Sequence, residues 1–87
     1  MTYYVYILKS EKDSRFYIGQ TQNLEERVLY HNSGRSKYTR SYMPWILLYS
    51  KDCNSRSEAL KLEKQLKGLK SRDDILRYTL NHDFMEH

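Results

Sequence analysis

Two short runs of aromatic and β-branched residues stand near the start of the chain, and a polar segment separates them. The first run is Tyr-Tyr-Val-Tyr-Ile-Leu at residues 3–8, and the second is Phe-Tyr-Ile-Gly at residues 16–19. Runs of this composition and length predict β-strands. Because the polar, turn-prone segment 10–15 is short, the two strands are expected to form an antiparallel hairpin with a loop of about five residues.

A helix and a third strand are predicted after the hairpin. Asn23 is a good N-cap and Glu26 stands three residues later, an arrangement that satisfies free backbone N–H groups where a helix starts. We expect this helix to span residues 24–32. Residues 35–43 are polar and basic and predict a loop, and the apolar run 45–50 predicts a third strand.

Two further helices complete the predicted order β-β-α-β-α-α. Ser55 and Glu58 repeat the capping pattern before a long helix to about Leu69, and Ser71 begins a last helix to about Leu80. A small three-stranded, mainly antiparallel sheet flanked by helices is the economical arrangement of these elements. The predicted fold class is therefore α+β.

Size and composition narrow the class of protein. At 87 residues we expect a single domain, residues 1–87, with its core in residues 3–80 and a loose tail over residues 82–87. The net charge of +4 suits a polyanionic partner without establishing one. Cys53 is the only cysteine, which excludes an intrachain disulfide and a cysteine metal cluster. We expect a cytoplasmic protein, because the sequence shows neither a signal peptide nor a membrane-spanning run.

The first predicted helix carries an arginine and a histidine on one face. At 100° per residue, Arg27 and His31 fall within the same arc of roughly 100° and are one turn apart. An arginine fork suits a phosphate group, and a histidine can move a proton near neutral pH. The alternative is structural, with Arg27 paired to a nearby glutamate and His31 as a half-buried capping residue.

The second predicted helix holds a carboxylate, Glu63, inside its apolar stripe of Ala59, Leu62 and Leu66. An ionised carboxylate in such a stripe is costly unless it meets a cation or a metal ion. Mg²⁺ takes oxygen ligands, commonly one or two carboxylates with waters and a substrate phosphate. The alternative is a structural salt bridge, for example to Arg27.

Tyrosines on the first two strands complete this set of residues. Tyr6 and Tyr17 lie on paired strands, which can bring their rings close together on one face. A tyrosine with an ordinary pKa near 10 is a poor base at neutral pH, although a neighbouring arginine or metal ion lowers that pKa. The alternative for either tyrosine is core packing.

A basic surface is predicted beside these residues. Basic side chains interleaved with aromatic rings can follow a phosphate backbone and stack on bases, although such a run is also typical of an ordinary solvated face. The candidate nucleic-acid-binding residues are Arg35, Lys37, Tyr38, Arg40 and Lys67.

Taken in order, these segments resemble the GIY-YIG nuclease superfamily, in particular its small single-domain bacterial members. Tyr4-Val5-Tyr6 stands at the first motif and Tyr17-Ile18-Gly19 at the second. The segment 21–34, with Arg27 and His31, looks like the helix that follows the second motif. Pro44-Trp45 at the third strand and the segment 57–63 also fit, so that the resemblance runs from residue 3 to about residue 70.

The resemblance implies a metal-dependent DNA endonuclease that hydrolyses phosphodiester bonds, with a structure preference and a place in DNA repair or recombination. Tyr6 and Tyr17 would lie beside the attacking water, with Tyr17 as the general base. Arg27 would hold the scissile phosphate, His31 would assist by proton transfer or hydrogen bonding, and Glu63 would hold a single Mg²⁺ or Mn²⁺. Specificity would come from a homodimer or a partner protein, since the family's larger nucleases carry a separate DNA-binding domain.

The sequence departs from the family pattern at two positions. Tyr4 stands where the family name has glycine, and Gln20 stands where some of these nucleases have a lysine. Two other functions therefore stay open: a nucleic-acid-binding module with little or no catalysis, and a protein-interaction domain.

Overall fold

The predicted order of strands and helices is confirmed by the computed structural model, which describes residues 2–69 and 71–81. The expected loose tail at residues 82–87 lies outside the described residues. A short 3-10 helix, Arg40–Tyr42, interrupts the predicted loop. The strands are β1 (Tyr3–Ser10), β2 (Phe16–Thr21) and β3 (Trp45–Cys53), and the helices are α1 (Leu24–His31), α2 (Arg56–Lys67) and α3 (Arg72–Asn81).

The sheet has the strand order β2-β1-β3 and is antiparallel throughout, so that β1 is its central strand. Tyr6 pairs with Gly19 on one side and with Ser50 on the other. All three strands extend beyond the apolar runs, because backbone pairing continues into polar residues such as Ser10 and Thr21. The α+β class predicted from the sequence is confirmed.

Both faces of β1 are buried, which explains its continuous apolar run. Side chains alternate between the faces of a strand, so Val5 and Ile7 pack on one face in a core formed with α2 and α3. Tyr6 and Leu8 pack on the opposite face with Trp45 and with residues of α1. The sheet therefore lies between two helical layers, and Tyr6 faces α1.

The helix starts use the side chains that the sequence predicts. Oδ1 of Asn23 accepts a hydrogen bond from the backbone N–H of Glu26, at 3.1 Å. Oγ of Ser55 accepts one from the N–H of Glu58, also at 3.1 Å. Each bond satisfies a backbone donor that has no partner within its helix. The position of α1 is thereby fixed directly after β2.

The end of α1 is tied to the start of β3 by a pair of hydrogen bonds. The side chain of Asn32 accepts from the backbone N–H of Trp45 at 2.6 Å and donates to its carbonyl at 2.9 Å. This amide acts as a backbone partner at the edge of the sheet and holds His31 over the β1 face.

Among the described residues, the helices are all too short or too polar to cross a membrane.

Candidate active site

The two tyrosines and the histidine meet on the α1 face of the sheet. The hydroxyl oxygen of Tyr6 lies 3.1 Å from Nε2 of His31. The ring centroids of Tyr6 and Tyr17 are 6.3 Å apart, and those of Tyr17 and His31 are 4.6 Å apart. Three aromatic side chains from β1, β2 and α1 therefore form one cluster, in which the polar atoms of Tyr6 and His31 face each other.

Tyr6 lies at the centre of this cluster and is 1% exposed. Burial raises the pKa of Tyr6 to about 12, although the nearby guanidinium of Arg27 lowers it and the charge of Glu63 raises it further. At neutral pH, Tyr6 is therefore a phenol with its proton in place. Arg27 and Glu63 are therefore both among the charged groups that act on this hydroxyl.

His31 is fully buried, so the structural alternative of a half-buried capping residue does not hold. Its Nδ1 lies 3.0 Å from the hydroxyl oxygen of Thr39 and its Nε2 faces Tyr6. Burial, with a smaller effect of the neighbouring Arg27 charge, lowers the pKa of His31 below its ordinary value of 6.5. The imidazole is therefore neutral at neutral pH and able to accept a proton.

Arg27 is half-buried, and its charge lowers the pKa of Tyr6. Its guanidinium carbon is 4.8 Å from the ring centroid of Tyr30, and that of Arg35 is 5.6 Å from the same centroid. The structural alternative expected Arg27 to pair with a glutamate. Within the described part of the chain, none of the ion pairs joins Arg27 to a glutamate. The two guanidiniums line a surface cleft of about 350 Å³ together with Tyr30 and the carboxylate of Glu26.

Glu63 is half-buried on α2 and reaches the edge strand β2. Its Oε1 accepts a hydrogen bond from Nε2 of Gln20 at 2.7 Å, and its Oε2 lies 2.9 Å from Nζ of Lys67. Burial raises the pKa of the Glu63 carboxyl, but the bonds from Lys67 and Gln20 outweigh that effect and lower it overall. The salt bridge that the sequence left open is present, with Lys67 as its partner instead of Arg27.

The surroundings of Glu63 fit one weakly held hard cation better than a closed metal cage. Within residues 2–69 and 71–81, no three His, Cys, Asp or Glu side chains gather as a ready-made metal site. Mg²⁺ usually keeps several waters and needs only one or two carboxylates beside substrate phosphates. The single half-buried carboxylate of Glu63, at the edge strand β2, supplies one such ligand.

The basic loop holds most of the candidate nucleic-acid-binding residues. Its cationic members Arg35, Lys37 and Arg40 are exposed. Tyr38 is 61% exposed, and its ring centroid lies 6.2 Å from that of Tyr17. The loop therefore borders the aromatic cluster. Lys67 lies on α2, where it pairs with Glu63.

Sequence reasoning missed two residues that hold this site together. Gln20 is recognisable in sequence only as a departure from the family pattern, yet it orients the Glu63 carboxylate. Thr39 carries no sequence signal, yet it is fully buried against His31. Gln20 is 43 positions from Glu63, and Thr39 meets His31 only through the path of the loop that follows α1, so that the tertiary structure brings both to their partners.

Comparisons with known proteins agree with this geometry. Residues 2–77 match the family described as the GIY-YIG catalytic domain. A UPF0213 protein of Staphylococcus haemolyticus is 42% identical over 66 residues, which are 75% of this chain and 79% of that protein. A UPF0213 protein of Streptococcus agalactiae is 39% identical over 80 residues, 91% of this chain and 89% of that protein.

A solved structure shows the same likeness at the level of the fold. The solution NMR structure of a UPF0213 protein from Bacillus halodurans is 33% identical to this chain and superposes with a TM-score of 0.60. The likeness covers 99% of this chain and 92% of that one. The family match supports nuclease-type activity in general. With Tyr6, Tyr17 and Arg27 gathered on one face of the sheet, the chain belongs to the GIY-YIG catalytic domain family.

Proposed function

We propose that the protein is a metal-dependent endonuclease that hydrolyses phosphodiester bonds in DNA. The observation that carries this proposal is the cluster of Tyr6, Tyr17 and His31 on the α1 face of the sheet, with the charge of Arg27 acting on Tyr6. Glu63, whose carboxylate reaches the edge strand β2, is the fifth side chain that we assign to the site. Together these side chains supply a proton acceptor, a phosphate-binding guanidinium and a carboxylate for a hard cation. Phosphodiester hydrolysis needs these three functions together.

The aromatic cluster would orient the attacking water and accept its proton. Tyr17, on the edge strand and half-buried, is the side chain that we assign as general base. Tyr6 keeps its own proton because burial raises its pKa to about 12, so we assign it to hydrogen bonding. His31 is neutral and presents Nε2 to the Tyr6 hydroxyl, which suits proton transfer or hydrogen bonding beside the water.

Arg27 would bind the phosphate directly, and Glu63 would hold the metal ion that stabilises its negative charge. The guanidinium of Arg27 can donate two parallel hydrogen bonds to phosphate oxygens and stabilise the charge that develops on them. Glu63 would hold a single Mg²⁺ or Mn²⁺, which supplies a Lewis acid beside the leaving oxygen. For Glu63 to do so, at least one of its bonds to Gln20 and Lys67 must be exchanged.

The substrate selectivity that we propose is for DNA structure, as in repair or recombination in the cytoplasm. The cationic side chains beside the site are two exposed arginines and one exposed lysine, Arg35, Arg40 and Lys37, which suit phosphate contacts. Phosphate contacts position a protein on DNA but carry no sequence information. A preference for branched or nicked DNA, or a specificity supplied by a second copy or a partner protein, is consistent with such a surface.

The test is nicking of supercoiled plasmid by the purified protein with Mg²⁺ or Mn²⁺. We expect the wild type to nick and Glu63→Gln to lose most of the activity, because the amide keeps the shape but not the charge of the carboxylate. Glu25→Gln is the matched control, an exposed acid on α1 that should leave nicking unchanged. Equal nicking by the wild type and Glu63→Gln would show that the active-site assignment is wrong.

A second candidate function is a nucleic-acid-binding module without catalysis. The observation that favours it is the engagement of both Glu63 carboxylate oxygens, by Gln20 and Lys67, which opposes entry of a metal ion. A salt-sensitive gel shift on branched DNA, without cleavage under Mg²⁺ or Mn²⁺, would support the module. Metal-dependent cleavage that depends on Glu63 would exclude it.

A further inference from the structure

A groove of about 690 Å³ lies along the edge strand β2. The hairpin loop before β2, the loop after α1, the end of α2 and the first turn of α3 surround it. Tyr17 packs with the core on the α1 face of the sheet, whereas Phe16 packs with the core on the opposite face. Both line the groove, which therefore passes around the open edge of the sheet and adjoins the candidate active site at Tyr17.

The lining of this β2-edge groove combines aromatic rings with positive charge. Its aromatic side chains are Phe16, Tyr17 and Tyr38. Its charged side chains are Arg15, Lys67, Arg72 and Asp13. Three cations therefore outnumber one carboxylate among the described residues that line the groove, and the surface is complementary to a polyanion.

Arg72 is the cation of the groove whose charge no carboxylate contact balances. The other two cations pair with carboxylates at 3.1 and 2.9 Å. Arg72 instead donates from Nε to the neutral carbonyl of Ser14 at 3.0 Å, and its guanidinium carbon lies 5.9 Å from the ring centroid of Phe16. In residues 2–69 and 71–81 it takes part in none of the ion pairs. An exposed guanidinium beside a half-buried ring can contact a phosphate while the ring contacts the attached base.

Unpaired nucleotides are the occupant that fits the β2-edge groove. Pockets of about 300–1,000 Å³ hold small organic ligands, so a volume of about 690 Å³ holds nucleotides but not a duplex. Proteins that bind single strands combine a basic groove with aromatic rings on which bases stack. An extended peptide can pair with the open edge of a strand, but such backbone pairing needs neither the rings nor the excess of cations.

We propose that the β2-edge groove binds the unpaired nucleotides of a DNA strand that continues from the candidate active site, with Phe16 stacking on a base and Arg72 contacting a phosphate. The inference rests on the function proposed above and narrows its substrate to branched DNA with a single-stranded arm. Binding of the arm needs no metal ion and no cleavage, so that it is measurable independently of catalysis.

The experiment is fluorescence anisotropy with the full chain and a metal chelator, on a labelled blunt duplex and on the same duplex with a short thymidine tail. We expect the tail to tighten binding by the wild type by about tenfold. Phe16→Leu, which keeps an apolar side chain but removes the ring, and Arg72→Gln should each lose about fivefold of that gain. Phe16→Tyr should keep it. Lys64→Gln is the charge control, because Lys64 is exposed on α2 and does not line the groove.

A tail of abasic sites separates stacking from phosphate contacts. Because it keeps the phosphates and lacks the bases, Phe16→Leu should bind it as the wild type does, whereas Arg72→Gln should bind it more weakly. A thymidine tail that adds no affinity, as expected for a groove that takes a peptide, would overturn the proposal, as would a gain that both variants retain. If Arg72→Gln disturbs the hairpin loop through its bond to Ser14, Phe16→Leu and Phe16→Tyr still decide. The expected gain in a protein that cleaves no DNA would refute the proposed function alone.

Discussion

A β-carbon on Gly19 would lie 2.8 Å from the hydroxyl oxygen of Tyr6 and 3.2 Å from Cε1 of Tyr17. Tyr6 and Gly19 are direct partners across β1 and β2, so the missing side chain is what lets the phenol lie over the edge strand. The glycine of the second motif therefore serves the site because it leaves room for the Tyr6 ring. It does not supply a left-handed backbone here, since among the described glycines only Gly34 has a positive φ, 84°.

Gly19→Ala should strongly reduce nicking while the protein still folds. The methyl group must push the Tyr6 ring away, which breaks its contact with His31 and costs about 1–3 kcal/mol of unfolding free energy through overpacking. Plasmid nicking and urea unfolding measure the two effects. Gly68→Ala is the matched control, because its β-carbon would meet only ordinary contacts at 3.4 Å or more. Full activity in Gly19→Ala would show that the position of Tyr6 does not matter.

Lys67→Ala should tighten the binding of Mn²⁺ to the metal-free protein. The ammonium of Lys67 competes for Oε2 of Glu63, and its removal also takes away a positive charge. Because the pair lies near the surface, we expect a change of about two- to fivefold, which corresponds to at most about 1 kcal/mol. Electron paramagnetic resonance of free Mn²⁺ measures the affinity. Lys64→Ala, an exposed lysine on the same helix, should change nothing, and weaker binding by Lys67→Ala would contradict the prediction.

The stability of the protein should fall as the pH drops below about 6.5, in part because of His31. Burial and the charge of Arg27 lower the pKa of His31 in the folded state. Below the ordinary pKa of 6.5, the unfolded chain therefore binds a proton that the folded protein does not, and the free energy of unfolding decreases. Urea unfolding from pH 7.5 to 5.5 tests this in the wild type and in His31→Gln. The variant should lose less stability over this range, and parallel curves would argue against the assignment.

The basic loop should set the salt dependence of DNA binding. Arg35→Ala, Lys37→Ala and Arg40→Ala should each weaken binding across all sequences and reduce the slope of log K against log salt by about 1, as for one lost phosphate contact. Fluorescence anisotropy with inactive Glu63→Gln protein separates binding from cleavage. Arg56→Ala, an exposed arginine at the start of α2, is the control. An unchanged slope for all three variants would place the DNA elsewhere.

Much of the fold could be predicted from local signals. The runs at residues 3–8 and 16–19 predict the hairpin because their composition suits strands, and Asn23 and Ser55 predict helix starts because their side chains cap backbone N–H groups. The strand ends were less predictable. Ser10 and Thr21 are polar and belong to strands because their neighbours pair with them.

The candidate site could be predicted only in part. Five site residues are recognisable because each stands at a motif position or departs from the residue pattern of its own strand or helix. They are Tyr6, Tyr17, Arg27, His31 and Glu63. Their partners are not recognisable in this way. The pairing of Glu63 with Lys67 was one of several possible salt bridges, and the contact of Gln20 with Glu63 joins residues 43 positions apart.

The sequence by itself determined the identity and order of the elements, because strand composition, helix capping and apolar spacing act over a few residues. The tertiary structure decided which side chains meet. Stacking α1 on one face of the sheet and α2 on the other placed Tyr6 within reach of His31, and Glu63 within reach of Gln20. It also buried Thr39 between His31 of α1 and Trp45 of β3. Contacts of this kind depend on packing in three dimensions, which no local pattern records.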